Sequence, residues 1–155
     1  MLPTKPNRRG RPRKAYDAIT ITADEYFRQF SELSLSEREK KSLEGVTKWE
    51  LITIKVLLKL DFPTLSKLLN VTERAIYSYH PDEVISPIIS DKILGIIEVY
   101  SYGYFIIGNI NVRCDWMLNP NPRLNNQPPV DVLCTHSGLL EVRSLLTEML
   151  TGQYH

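Results

Sequence analysis

Cysteine is scarce: Cys114 and Cys134 are the only two in 155 residues. They share no spacing with each other or with histidines that would make a metal site, and two cysteines make no disulfide framework. Two free thiols in a reducing cytoplasm are the expectation. Histidine is equally thin, with His80 and His136 scattered and His155 at the end of the chain. There is no P-loop, no dinucleotide fingerprint and no HExxH. No Ser, Cys or Asp stands in an elbow or triad pattern. An enzyme is therefore not expected, and no cofactor is called for. No apolar run reaches the roughly 20 residues of a membrane span, since the greasiest stretch contains Glu98. The charged, Pro-rich start has no signal-peptide pattern, and no internal repeat is present. The length suits one or two small domains with a core of their own.

Acidic residues are absent from residues 1–14, which carry Lys5, Arg8, Arg9, Arg11, Arg13 and Lys14, a charge of +6. The other 13 basic and 18 acidic residues leave −5 on the body, so the net +1 hides an asymmetry. A basic arm on a mildly acidic body suggests a polyanion at one end and a different partner elsewhere. Ten of these fourteen residues are charged, Pro or Gly, and a disordered arm is expected over 1–16. Within it Arg9-Gly10-Arg11-Pro12 matches the core of a minor-groove hook. Gly allows close approach, Pro keeps the backbone extended, and two guanidiniums fit the narrow negative groove of A·T-rich DNA. A generic arm touching phosphates explains the composition equally well.

The pattern after the arm is helical throughout, and the fold class expected is all-α. Thr22-x-x-Glu25, Ser34-x-x-Glu37 and Thr47-x-x-Glu50 are capping-box signals. They open helices over about 23–33, 36–44 and 48–60. Gly45 stops the second. Leu51, Ile54, Leu57 and Leu58 point inward from the third, with Lys48, Lys55 and Lys59 on its solvated side. Over 62–79, Leu65, Leu69, Val71, Ile76 and Tyr79 have helix-turn-helix spacing, with Ser66 at the close approach and Asn70 in the turn. Thr72 caps the second helix. Its outward residues Thr72, Glu73, Arg74, Tyr77 and Ser78 are the candidate major-groove contacts. Arg74 suits a guanine edge, and Thr72 or Ser78 a phosphate. Glu73 opposes phosphate, and His80-Pro81 ends the helix after about two turns.

Ser90 is the expected cap of a helix over about 91–107 that is apolar nearly all round. Ile93, Ile97, Tyr100, Tyr104 and Ile107 form one seam. A central core helix and a homodimer seam both fit. Asn109 caps a helix of about 110–118. Then comes 116–133, with four prolines, four asparagines and one glutamine in eighteen positions and apolar anchors at both ends. It reads as a defined bend between helices, and such a loop on a rigid scaffold often carries function. A helical turn is expected at 130–133. A last helix follows at about 137–151, capped by Thr135 or Ser137, with Leu139, Val142, Leu146 and Met149 as its stripe and Gly152 as its stop.

The run Trp116, Leu118, Asn119, Pro120, Asn121, Leu124, then Pro128-Pro129, Asp131, Leu133, Thr135, Gly138 and a helix ending at Gly152 resembles the toxin-binding domain of Xre/MbcA/ParS-type bacterial antitoxins, partners of RES-domain toxins. Met117 interrupts the usual tryptophan-leucine pair. Asn125 and Asn126 stand where glycines are common, a role Asn can fill by adopting left-handed backbone. The resemblance extends back to about Gly45. It implies an Xre-like helix-turn-helix domain over 17–90 and a small dimerisation and toxin-binding region over 91–155. It also implies an NAD-degrading RES toxin as partner, masked by Trp116, Asn119, Asn121, Arg123, Leu124, Leu133, Arg143, Gly152 and Tyr154. The expectation is a cytoplasmic homodimeric antitoxin that also represses its own operon on double-stranded DNA. Two other readings stand beside it: a helix-turn-helix regulator with a dimerising C-terminal domain and no toxin, and a structural adaptor without DNA contact.

Overall fold

The computed structural model describes residues 22–152, and every regular element among them is helical. The expected arm, including Arg9, Gly10, Arg11 and Pro12, lies outside the described residues, as does Tyr154. Among the described residues nine α-helices follow in order: α1 Ala23–Ser31, α2 Leu35–Glu44, α3 Lys48–Leu57, α4 Phe62–Leu69, α5 Glu73–Ser78, α6 Pro87–Ile107, α7 Ile110–Leu118, α8 Pro129–Val132 and α9 His136–Leu150. Ser34–Glu37 and Thr47–Glu50 form complete capping boxes. At α1 only half of the box is present. Thr22 accepts from the Glu25 amide, while the Glu25 carboxylate accepts from Gln29 one turn on. α1 stops at Ser31, two residues before the expected end, and α3 stops at Leu57 rather than at 60 because Lys59 turns left-handed (φ 56°).

The centre of the molecule is α6. Its 21 residues begin at Pro87, with Ser86 accepting from the Ile89 amide. Pro at the first helical position costs no hydrogen bond, which is why the helix starts four residues earlier than expected. Ser90 is thus not the cap. It is buried, accepting from the Val46 amide at 3.1 Å and bonding back to the Ile85 carbonyl. The expected boundary at 90/91 falls in this first helical turn. Among the described residues no single helix is long and apolar enough to cross a membrane.

Most of the circumference of α6 is covered by other parts of the chain, and the face that carries Ile88, Asp91 and Phe105 stays exposed. α1, α2 and α4 pack on it from before, α7 and α9 from after. Ile93, Ile96, Ile97, Val99 and Tyr100 are all buried. Of the seam Ile93, Ile97, Tyr100, Tyr104 and Ile107, the first three are buried in the core of one chain, and Tyr104 and Ile107 are partly exposed. α6 and α7 meet at a bend of 112°, made at Gly108 with φ 115°.

One buried tie joins α1 to α7, 89 residues apart. Arg113 of α7 is 0% exposed. Its guanidinium bonds the Tyr100 carbonyl at 2.7 Å and the Asp24 carboxylate of α1. It lies 5.1 Å from the Phe27 ring centre and 5.2 Å from that of Tyr104. A buried charge is tolerated only when paired and bonded. α1 is thereby fastened to α7 across most of the sequence.

Two changes test this packing. Asp24→Ala strands a fully buried guanidinium and is expected to cost about 3–5 kcal/mol. Arg113→Met leaves Asp24, which is still partly in water, and is expected to cost less. Urea unfolding of both variants checks the order, and equal losses would show that the ion pair is not what holds α1. Gly138 sits in the first turn of α9, where a Cβ would collide with the Val132 carbonyl. Gly138→Ala is expected to destabilise by about 1–3 kcal/mol in the same measurement.

Candidate functional site

Two surfaces carry the residues of interest, and each is built by short-range rules. The first is α4–turn–α5. Asp61 caps α4 by accepting from the Thr64 amide, and bonding from the Thr64 side chain and then its amide holds the Asp61 carboxyl below the usual range. Asn70 takes left-handed backbone (φ 53°) and Thr72 accepts from the Ala75 amide. Leu65, Leu69 and Ile76 are buried between the helices, and the Ser66 hydroxyl donates to the Val71 carbonyl. The expected helix-turn-helix geometry is present, with the turn closed by Asn70 in the place of glycine.

The candidate contacts of α5 differ in what they have left to offer. Arg74 is exposed. Tyr77 is half-exposed, with its ring 4.9 Å from that of Phe62, over which the Lys55 ammonium sits at 4.4 Å. Thr72 keeps its hydroxyl proton to donate, since its oxygen serves the cap as acceptor. The Ser78 hydroxyl already donates to the Ala75 carbonyl at 2.7 Å. Glu73 is partly buried.

Lys48 departs from expectation. It is not on the solvated face of α3 but buried, its ammonium donating to the Tyr77 carbonyl at 3.0 Å and the Tyr79 carbonyl at 2.7 Å. Helix ends leave carbonyls without partners and favour a cation there. α5, only six residues long, is held at its last turn by this lysine. No local pattern in the sequence pairs residue 48 with residues 77 and 79.

The second surface is the bend after α7. Asn109 caps α7 by accepting from the Val112 amide at 3.2 Å. Met117 is fully buried and Trp116 half-buried against the core. Asn121 is buried and organises the bend. Its side chain accepts from the Arg123 amide at 2.9 Å, and its carbonyl accepts from the Leu124 and Asn126 amides. Its own amide donates to the Gln127 carbonyl at 3.1 Å. A 3-10 turn, Pro122–Leu124, drives Leu124 into the core. Asn125 and Asn126 both take left-handed backbone (φ 56° and 60°), in the role expected of them. The loop leaves Asn119, Pro120, Arg123, Asn125, Asn126 and Gln127 exposed.

α9 clamps this loop. Thr135 caps it, Gly152 follows its end with φ 75°, and Glu148 pairs with Arg123. Between loop and helix lies a cleft of about 180 Å³, lined by Arg123, Leu124, Glu141, Ser144, Leu145 and Glu148. Arg143 is half-exposed, 3.3 Å from Glu98 and stacked 4.6 Å over the Tyr102 ring. The same Glu98 oxygen takes Arg38 of α2 at 3.2 Å. Of the nine residues expected to contact a toxin, Asn121, Leu124 and Leu133 are buried and shape the loop instead. Asn119, Arg123, Arg143 and Gly152 are on the surface, and Trp116 straddles it.

The cysteines are occupied in packing. Cys114 is buried with its thiol on the Leu58 carbonyl, and burial raises its pKa. Cys134 donates to the Asp131 carbonyl. Lys67 of α4 reaches Asp131 of α8 at 3.6 Å, so the helix-turn-helix and the C-terminal loop share an edge.

No curated protein matches the chain. The family model of the antitoxin Xre/MbcA/ParS C-terminal toxin-binding domain matches residues 106–152, from the last turn of α6 to the glycine after α9. The match begins well after Gly45, but takes in the whole asparagine loop and both helices that frame it. Over residues 106–152 the chain is thus similar to the C-terminal toxin-binding domain of Xre/MbcA/ParS antitoxins.

Proposed function

We propose that this chain is an antitoxin that neutralises a RES-type, NAD-degrading toxin by covering its active-site entrance, and that it represses its own operon as a DNA-binding protein. The toxin-binding domain over 106–152 carries the reading. The loop after α7 suits occlusion. Its backbone is fixed by Asn121, and Asn119, Arg123, Asn125, Asn126 and Gln127 present polar groups from it, so it binds without first paying an ordering entropy. The mechanism is steric and needs no catalytic group on this chain. DNA binding is supported by the helix-turn-helix geometry and the exposed Arg74, with the basic arm as a second contact. The protein then works in a bacterial cytoplasm, on the nucleoid when bound to its operator.

A regulator with no toxin partner, dimerising through its C-terminal domain, is the competing reading. It has less of the α6 seam to dimerise through, because Ile93, Ile97 and Tyr100 lie inside the core.

Co-purification with the product of the adjacent gene is the decisive experiment, followed by NAD consumption with the intact chain and with an Asn119→Asp, Arg123→Glu variant. Complex formation and protection of NAD by the intact chain are expected, with protection weakened in the variant. Absence of a complex, or NAD loss indifferent to the chain, rejects the antitoxin reading. For the DNA half, Arg74→Ala is expected to weaken operator binding by about 1–3 kcal/mol in a gel-shift titration, and an unchanged affinity removes α5 as the reader.

A further inference from the structure

α6 keeps one face out of the core. Ile88, Asp91, Gly95, Glu98, Tyr102 and Phe105 follow one another along it at spacings of 3, 4, 3, 4 and 3, and none of them is buried. At about 100° per residue they lie on the opposite side of the helix from the buried Ile93, Ile97 and Tyr100. The ends of this face are apolar and open, with Ile88 73% and Phe105 69% exposed. Either alone would be ordinary. The pattern between them is the alternation of a two-stranded helical seam. α9 widens the face. Its Arg143 reaches Glu98 and stacks on Tyr102, and the Thr147 and Tyr102 hydroxyls share a hydrogen bond of 2.7 Å. Leu140 and Leu150, both exposed, stand on the same stripe of α9 as Arg143 and Thr147.

The charges on this face do not balance in place. Glu98 takes two arginines, Arg38 and Arg143, which leaves a surplus positive charge. Asp91 has the Ser42 hydroxyl at 2.8 Å and no cation partner among the described residues. One chain thus carries an uncompensated acid near one end of the seam and a surplus of base beyond its middle.

We propose that this face of α6 pairs with the same face of a second copy, the two helices running antiparallel about a two-fold axis between Gly95 and Glu98. Such an interface sets residue i on residue j and j on i. Ile88 then meets Phe105 of the second copy, Asp91 meets Tyr102, and Gly95 meets Glu98. Apolar meets apolar at both ends. Asp91 comes upon the guanidinium that covers Tyr102, so the lone acid of each copy answers the surplus base of the other. Gly95 has no side chain and leaves room for Glu98. A parallel pairing would set Asp91 on Asp91 and Glu98 on Glu98, and polar residues within a seam select orientation in this way. A toxin carboxylate that draws on Arg143 would compete with this contact. The pairing uses neither α5 nor the asparagine loop, so it rests on neither half of the proposed function.

Sedimentation equilibrium of the full-length chain, with no DNA or toxin present, tests the pairing. Twice the chain mass of 17.9 kDa is expected at micromolar concentration. Ile88→Asp and Phe105→Asp are each expected to weaken the dimer about tenfold or more, since a carboxylate then enters an apolar contact. Both positions are on the surface, so far-UV circular dichroism and the urea midpoint of the monomer are expected to stay as they are. The register has its own readout, in a Cys134→Ser background. Mixed under mild oxidation, chains carrying Ile88→Cys and chains carrying Phe105→Cys are expected to form a disulfide with each other. Neither is expected to do so alone, because residues 88 of the two copies lie about 25 Å apart in the antiparallel pair, and a disulfide needs Cα atoms within about 7 Å. A mass of one chain at micromolar concentration overturns the proposal. So does a dimer unchanged in both Asp variants, or single-cysteine chains that crosslink as readily alone as in the mixture.

Discussion

α6 must keep most of its surface from water, and that constraint arranges everything else. A helix with isoleucine, valine and tyrosine around most of its circumference must be covered from several directions. Sequence neighbours alone cannot do this, because each packs on one side only. The chain meets the requirement by bringing α1 and α2 from before and α7 and α9 from after onto the same rod. The apparent division into a helix-turn-helix part and a toxin-binding part is thus a division of surfaces. The core belongs to both.

The polar ties follow the same logic with different strengths. Arg113 reaches Asp24 from inside the core, with two rings beside it and a carbonyl as second acceptor. Losing one partner there leaves a charge with no water to turn to, so this tie is rigid. Glu98 with Arg38 and Arg143 lies half in water. Exposed pairs of that kind are worth about 0–1 kcal/mol, and they exchange partners readily. The fastening between α1 and α7 is therefore fixed, and the one across α2, α6 and α9 is adaptable.

What could be read from the sequence was what depends on near neighbours. The caps Thr22, Ser34, Thr47, Thr72, Asn109 and Thr135 each serve a helix start three residues away. Asn70, Asn125 and Asn126 adopt the left-handed backbone asked of them in turns. What could not be read depended on distant partners. Lys48 looked like a surface lysine because its acceptors, the carbonyls of Tyr77 and Tyr79, lie some thirty residues on. Ser90 looked like a cap because Ser-Asp before an apolar run is a local signal, whereas Ser86-Pro87 began the helix a turn earlier. Asn121, Leu124 and Leu133 were assigned to a binding surface from their place in a motif. A motif records positions that matter, and for these three they matter to the shape of the loop.

That difference bears on how a partner would engage the C-terminal surface. Arg143 can leave Glu98 for a carboxylate or phosphate on a toxin at small cost, because the pair it breaks is already solvated and Glu98 keeps Arg38. The asparagine loop cannot reshape itself so cheaply. Moving it would break the four hydrogen bonds that converge on Asn121 and draw Leu124 from the core. A partner must therefore fit the loop as it stands, and adjust itself around the arginines. Shape selection would come from the loop and charge selection from α9, and the two are separable by mutation because they rest on different interactions.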